Sequence, residues 1–149
     1  MYKFKNSIFI RKDINEVFNF YTDFKRFCTV WNDILSINKI TEGPLTKGSK
    51  YENIIIHNGK DFKFNSEIID IIENHRFIFS TIKYGVKVVY NYEFEVLTKG
   101  TLISFRGDVM FNDYPEDLSK DIFDVIVEED ENHLKLIKAY LESNEEIAI

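Results

Sequence analysis

The chain has 149 residues, which is the size of one ordinary domain. Hydrophobic residues make up 44% and charged residues 30%, a balance that indicates a globular protein and argues against a disordered one. The net charge of −6 argues against nucleic acids and anionic membrane surfaces as partners, because binding to polyanions depends on Lys and Arg. No apolar run approaches the ~18 residues of a membrane span, so no stable membrane insertion is expected.

The residues that carry common chemistry are sparse. A single cysteine, Cys28, excludes an intrachain disulfide and favours a reducing, cytoplasmic location. The histidines are scattered without metal-ligand spacing, and no phosphate-binding or nucleophile motif is visible, so neither a metal nor a cofactor is expected. The abundance of Ile, Lys and Asn suggests an AT-rich bacterial genome, and the sequence leaves the oligomeric state open.

The first third of the chain predicts one strand followed by two short helices. FKNSIFIRK alternates loosely and predicts a strand near residues 3–12. Asp13 is then placed to accept hydrogen bonds from the first N–H groups of a helix, whose apolar residues follow helical spacing to Phe24. A second helical turn is predicted over residues 25–30.

Six further strands follow, and short turns join them. They are predicted at residues 34–43, 47–57, 60–72, 76–84, 86–97 and 101–110. Asn58-Gly59 is a strong hairpin signal, because both residues tolerate the positive φ that a type I′ turn requires. Short turns between successive strands predict an antiparallel sheet of about seven strands.

A long helix is predicted from about residue 117 to 142, with residues 143–149 as a frayed tail. At 1.5 Å per residue such a helix is about 39 Å long, enough to cross a small sheet. Asp130 and His133 lie on its apolar face. The element order predicts an α+β domain, in which a bent sheet wraps the helix and leaves a cavity between them. The apolar face of this predicted helix consists of Leu118, Ile122, Phe123, Ile126, Val127, Leu134, Ile137 and Leu141.

Four stretches together resemble a known superfamily. INEVFNFYTDFKRFCTVW is similar to its early helices leading to a tryptophan, here Trp31. ITEGPLTKGSKYE is similar to its glycine-containing turn before an aromatic residue, here Gly48 and Tyr51. DIIENHRFIFS resembles the turn before the fifth strand, and HLKLIKAYLE the end of the last helix. The chain thus resembles the START/Bet v 1-like (SRPBCC) superfamily, whose bacterial members include polyketide cyclase/dehydrase and lipid-transport proteins.

The resemblance implies one START/Bet v 1-like domain over residues 1–149. It implies a helix-grip fold, with a deep hydrophobic cavity between the sheet and the C-terminal helix. It transfers no catalytic set, because the superfamily has no common one. The chain departs from the pattern at the turn Glu73-Asn74-His75-Arg76, where the superfamily usually has one or two prolines.

Strand alternation assigns the residues that face this cavity. In residues 86–96 every second residue, from Val86 to Val96, is apolar or aromatic, so Tyr90 and Tyr92 are predicted to point inward. In KYENIIIH both faces are plausible, and the likeness at Tyr51 favours the face that carries it. The predicted ligand-binding residues are Trp31, Tyr51, Asn53, Ile55, Phe64, Ser66, Phe79, Thr81, Tyr90, Tyr92, Ile126, Asp130 and His133.

Three hypotheses about function follow. The preferred one is a binding protein for a hydrophobic or amphipathic small molecule such as a lipid, polyketide or aromatic compound. The alternative is a cyclase/dehydrase-type enzyme, a lyase or isomerase without metal, in which Asp130, His133 and Tyr90 move protons. A stress-response or co-chaperone-like interaction protein is the third. Against the first two, a helix that overhangs the sheet would leave Asp130 and His133 in solvent or paired with each other.

Overall fold

The structure, a computed structural model, describes residues 2–30, 34–57, 59–83, 85–112 and 114–147. Its element order is one strand, two short helices, six strands and one long helix, as the sequence predicts. The elements are β1 (Tyr2–Ile10), α1 (Ile14–Thr22), α2 (Phe24–Thr29), β2 (Ile34–Lys39), β3 (Lys50–His57), β4 (Lys60–Ile72), β5 (Arg76–Lys83), β6 (Val86–Leu97), β7 (Gly100–Met110) and α3 (Glu116–Ile147).

The described strands form one antiparallel sheet in the order β1-β7-β6-β5-β4-β3-β2. Its register shifts within β2 between Ile34 and Ser36, and within β4 between Ile68 and Asp70. Such irregularities bend a strand and increase its twist, which helps the sheet to curve around α3. The predicted α+β helix-grip architecture is therefore confirmed.

The turn between β4 and β5 closes without the prolines that the superfamily pattern favours. Asn74 adopts a φ of 61°, and the His75 N–H donates to the Ile72 carbonyl at 2.9 Å. Asn tolerates this left-handed region better than most residues. Its side-chain amide also donates to Asn15 Oδ1 at 2.8 Å, which ties the turn to α1. The hairpin tip at Asn58 lies outside the described residues.

The long helix α3 begins at Glu116 and continues to Ile147, beyond the predicted end at residue 142. The prediction for Leu118 is wrong, because this residue is 49% exposed and Ser119 beside it is buried. At 100° per residue Ser119, not Leu118, is in phase with the rest of the buried face. Val96 is also wrongly placed, at 65% exposure, because β6 continues past the core at that end. The buried face consists of Ser119, Ile126, Asp130, His133, Leu134, Ile137 and Leu141.

Contacts toward both ends of α3 fix it along the edge strand β1. In its first half, the Phe123 ring lies with its centroid 5.0 Å from that of Tyr2. Near its carboxyl end, Glu142 Oε2 accepts hydrogen bonds from the Arg11 N–H at 2.9 Å and from Lys138 Nζ at 3.0 Å. The helix is thereby held across the concave side of the sheet.

We expect Glu142 to make folding stability depend on acid pH. Partial burial acts to raise the pKa of Glu142, but hydrogen bonds and positive charge from Arg11 and Lys138 outweigh it, so its pKa lies below 4.5. A pKa that is lowered in the folded state contributes stability above the unfolded value, and that stability is lost as the pH falls through the folded value. In urea unfolding, Glu142→Gln should lower stability at pH 7 and flatten its acid dependence. Glu131→Gln, on an exposed turn of α3, should change neither, and equal pH profiles for the two variants would contradict this role.

A glycine in β7 leaves room for an aromatic ring from β1. A Cβ built on Gly107 would lie 2.3 Å from Cε1 of Phe4. The Phe4 ring packs edge-on against Phe105, with centroids 5.7 Å apart, and against Phe123 at 5.8 Å. Because Gly107 has no side chain, the Phe4 ring of β1 packs against both β7 and α3.

We expect Gly107→Ala to destabilise the protein by ~1–3 kcal/mol, because the added methyl group displaces the Phe4 ring. The same substitution in a Phe4→Ala background should cost much less, because the displaced ring is gone. Urea unfolding of the two single variants and the double variant measures this coupling. Additive effects of the two substitutions would show that the contact does not matter.

Candidate ligand-binding site

Most residues that the sequence predicts for the site lie on the inward face of the sheet or on the facing side of α3. Ile55 and Phe64 are half-buried. Trp31 lies outside the described residues. Ten of the predicted residues are buried: Tyr51, Asn53, Ser66, Phe79, Thr81, Tyr90, Tyr92, Ile126, Asp130 and His133.

Strand register arranges the inward residues in rows across the sheet. One row contains small side chains, because Ser66 lies opposite Thr81 and Thr81 lies opposite Val88. The neighbouring row contains large rings, because Phe79 lies opposite Tyr90. Small and large side chains therefore stand side by side beneath α3.

Asp130 of α3 binds directly to Tyr90 of the central strand β6. The Tyr90 hydroxyl donates to Asp130 Oδ2 at 2.6 Å, and the two residues are 2% and 4% exposed. Burial, followed by the negative charge of Asp130 and the hydrogen bond to it, raises the pKa of Tyr90 well above 10. The tyrosine therefore keeps its proton at neutral pH.

His133 follows on the same side of α3 and is 3% exposed. Its ring centroid lies 5.1 Å from that of Phe27 in α2. The interpretation that Asp130 and His133 are in solvent is therefore wrong. The helix does not overhang the sheet at this point, because α2 lies beneath it.

Rings from α1 and α2 cover part of the predicted lining. The Phe24 centroid lies 4.6 Å from Tyr51 and 5.4 Å from Phe79, and the Phe27 centroid lies 6.1 Å from Tyr92. The protein's own aromatic side chains thus fill this end of the space between the layers. Helical spacing predicts Phe24 on the apolar face of the first helix, but neither Phe24 nor Phe27 was assigned to the site. Their spacing of three residues in FKRF places both on one helix face.

Polar groups lie on the inward face of β3, β4 and β5, in the row that contains Tyr51 and in the next row toward the tip of the β3–β4 hairpin. The Ser66 hydroxyl donates to Thr81 Oγ1 at 3.1 Å. Asn53 is 6% exposed, and its Oδ1 accepts no hydrogen bond from the described atoms. A buried acceptor without a partner costs ~1–3 kcal/mol, so this carboxamide is suited to a group that the protein does not supply.

A second unusual polar atom lies within the aromatic end. Tyr21 of α1 is fully buried, and its hydroxyl has no hydrogen-bond partner among the described atoms. Its ring lies 5.0 Å from Tyr92 and 5.2 Å from Phe94, measured between centroids. Burial raises the pKa of Tyr21 far above 10, since an ionised phenolate would be unsolvated there.

An open groove of about 600 Å³ lies on the opposite, outer face of the sheet. It contains none of the predicted site residues, and seven of its eight lining residues are polar or charged. The sequence did not predict this groove. The lining consists of Lys5, Asn6, Ser7, Asn91, Glu93, Ser104, Phe105 and Arg106.

Within the described part of the chain, no group of three His, Cys, Asp or Glu residues is placed to hold a metal ion. None of the helices there is long and apolar enough to cross a membrane.

Comparison with solved structures identifies the fold. Ara h 8.0201 superimposes with a TM-score of 0.80 at 18% identity, over 95% of this chain and 98% of that chain. The fold is Bet v 1-like. The di-domain ARO/CYC StfQ from the steffimycin biosynthetic pathway gives a TM-score of 0.77 at 11% identity, over 95% of this chain and 51% of that one. A protein of unknown function, SA2116 from Staphylococcus aureus, gives 0.76 at 13% identity, over 97% and 96%.

No protein-family model matches the chain, and no curated protein is significantly similar to it in sequence. The structural similarities lie at 11–18% identity, so they confirm the predicted fold and leave the ligand to be inferred from this chain's own residues.

We expect the same substitution at two fully buried tyrosines to change stability in opposite directions. Tyr90→Phe removes the donor to Asp130 and should cost ~1–3 kcal/mol, whereas Tyr21→Phe removes a hydroxyl without a partner and should stabilise by about 1 kcal/mol. Urea unfolding at pH 7 measures both changes. A loss of stability in Tyr21→Phe as large as that in Tyr90→Phe would show that the Tyr21 hydroxyl is bonded.

We also expect Tyr21 to destabilise the fold in alkali. Its pKa is raised in the folded state, so its contribution to stability is constant below the unfolded value of 10.0 and is lost as the pH rises above it. The loss approaches about 1.4 kcal/mol per pH unit for one such group. Unfolding measured between pH 9 and 11 should therefore show a shallower decline for Tyr21→Phe than for the parent chain. Parallel declines would contradict a raised pKa.

Proposed function

We propose that the protein binds a hydrophobic or amphipathic small molecule, such as a lipid, polyketide or aromatic compound, between the sheet and the first half of α3. The observation that carries this proposal is the Tyr90–Asp130 hydrogen bond beside the row of small side chains at Ser66, Thr81 and Val88. The bond spaces the layers by the length of a tyrosine plus a carboxylate. Side chains as short as Ser, Thr and Val do not span that distance, which leaves volume for a ligand.

The composition of this region also favours a small molecule. Val88 and Ile126 are fully buried, and Asn53, Ser66 and Thr81 supply a few polar groups among them. Mostly apolar walls with a small number of polar groups are typical of ligand sites. The Phe24 ring of α2, which packs on Tyr51 and Phe79, would close one side of the site.

The similarity to an ARO/CYC protein of the steffimycin biosynthetic pathway favours a polyketide among these classes. The net charge of −6 supports a partner other than nucleic acid, and we propose a cytoplasmic location from the single cysteine. The interaction-protein hypothesis stays a prediction.

Catalysis is the second candidate, because a buried carboxylate, a tyrosine and an imidazole lie close together on α3 and β6. The raised pKa of Tyr90 weighs against it as a proton donor, since an efficient general acid has a pKa near the working pH. The Asp130 carboxylate also already accepts the Tyr90 hydrogen bond. We therefore assign Tyr90 and Asp130 a structural role, spacing the layers, and leave His133 as the candidate proton-transfer group.

Fluorescence titration with N-phenyl-1-naphthylamine, which brightens in apolar surroundings, tests the proposed site. We expect saturable binding by the parent chain and at least about tenfold weaker binding by Thr81→Phe, whose ring would occupy the proposed volume. Ser80→Phe is the matched control, because Ser80 is the adjacent residue on the outer face of β5. Urea unfolding confirms that each variant is folded. Unchanged binding by folded Thr81→Phe, or none by the parent chain, would refute the proposal.

A further inference from the structure

Three polar side chains on neighbouring strands indicate the chemistry of the ligand. Ser66 of β4 lies directly opposite Tyr51 of β3 and opposite Thr81 of β5. Asn53 lies two residues beyond Tyr51 on the same face, opposite Phe64. Asn53 and Ser66 are therefore diagonal neighbours on an antiparallel pair, a separation of about 7–8 Å between Cα atoms. One ligand oxygen between the two side chains fits this spacing.

These three polar residues leave one hydrogen-bond donor and one acceptor without partners among the described atoms. The Ser66 hydroxyl donates to the Thr81 oxygen, and the Thr81 hydroxyl hydrogen has no acceptor among the described atoms. Asn53 Oδ1 is a buried acceptor that likewise receives no hydrogen bond from them. The site thus offers one hydroxyl donor and one amide acceptor. A ligand hydroxyl satisfies both, because it accepts and donates, whereas a carbonyl or a carboxylate only accepts.

The charges around these residues disfavour an anionic ligand. The buried residues of the described chain include Asp130 but no lysine or arginine. Lys39 lies beside Tyr51 in the sheet, and its ammonium group donates to the carbonyls of Thr41 and Gly43. A buried anion is strongly unfavourable without a cation or several donors, and this site offers one hydroxyl donor beside the acceptor oxygen of Asn53. Carboxylate and phosphate headgroups therefore do not match this site.

We propose, on the basis of the function above, that the ligand is a neutral molecule with a phenolic or alcoholic hydroxyl group. That hydroxyl donates to Asn53 Oδ1 and accepts from the Ser66–Thr81 pair. Its apolar body extends toward Val88 and Ile126. The site selects such compounds over fatty acids and phospholipids, which carry an anion at the polar end.

Calorimetric titration with three naphthalenes of similar size tests this selection: 2-naphthol, 2-methoxynaphthalene and 2-naphthoate. At pH 7 the parent chain should bind 2-naphthol about tenfold more tightly than the methyl ether, which cannot donate. The carboxylate should bind most weakly of the three. Equal affinities, or a preference for the carboxylate, would overturn the inference.

Asn53→Leu should abolish the preference for 2-naphthol over its methyl ether, because leucine cannot accept the ligand's hydroxyl hydrogen. Urea unfolding confirms that the variant is folded. Asn91→Leu is the matched control, because Asn91 lies in the groove on the outer face of the sheet, and it should keep the preference. A preference that persists in Asn53→Leu would overturn the role of this carboxamide. Binding of the larger dye without any discrimination among the naphthalenes would refute only this inference, whereas loss of all binding by the parent chain would refute the proposed function as well.

Discussion

The hydrogen bond between Tyr90 and Asp130 sets how closely the long helix approaches the sheet. It joins the middle of α3 to the central strand β6, and both partners are buried. Contacts with β1 hold the helix on either side of this point, at Phe123 and at Glu142. The bond thus acts as a spacer, and the dimensions of any ligand site beside it depend on its length.

Two parts of the space between sheet and helix have different roles. In one part α1 and α2 insert rings, with Phe24 against Tyr51 and Phe27 against His133. This packing supplies apolar contact area and stabilises the fold. Beside Tyr51, in the same row of the sheet, Ser66 and Thr81 present short polar side chains that do not reach α3. We propose that binding is confined to the space over Ser66, Thr81 and Val88.

The sequence predicts the fold and the inward residues well, but not their partners. Alternation along β6 places Tyr90 and Tyr92 inward, because a strand repeats every two residues. It does not reveal that Tyr90 binds Asp130, because that contact joins residues 40 apart and depends on where α3 crosses the sheet. The exposure of Leu118 depends likewise on the rotation of α3 about its own axis. The resemblance to the superfamily predicted the order of the layers. No local sequence pattern, however, encodes the position and rotation of α3 relative to the sheet.

Diffraction from crystals of the protein under xenon pressure tests most directly whether this space exists, because xenon occupies apolar space between packed side chains. We expect xenon, or ordered non-protein density, beside the Tyr90–Asp130 hydrogen bond and within contact of Thr81, Val88 and Ile126. Continuous side-chain packing across that region, with no xenon in it, would contradict the claim that the spacer keeps room for a ligand.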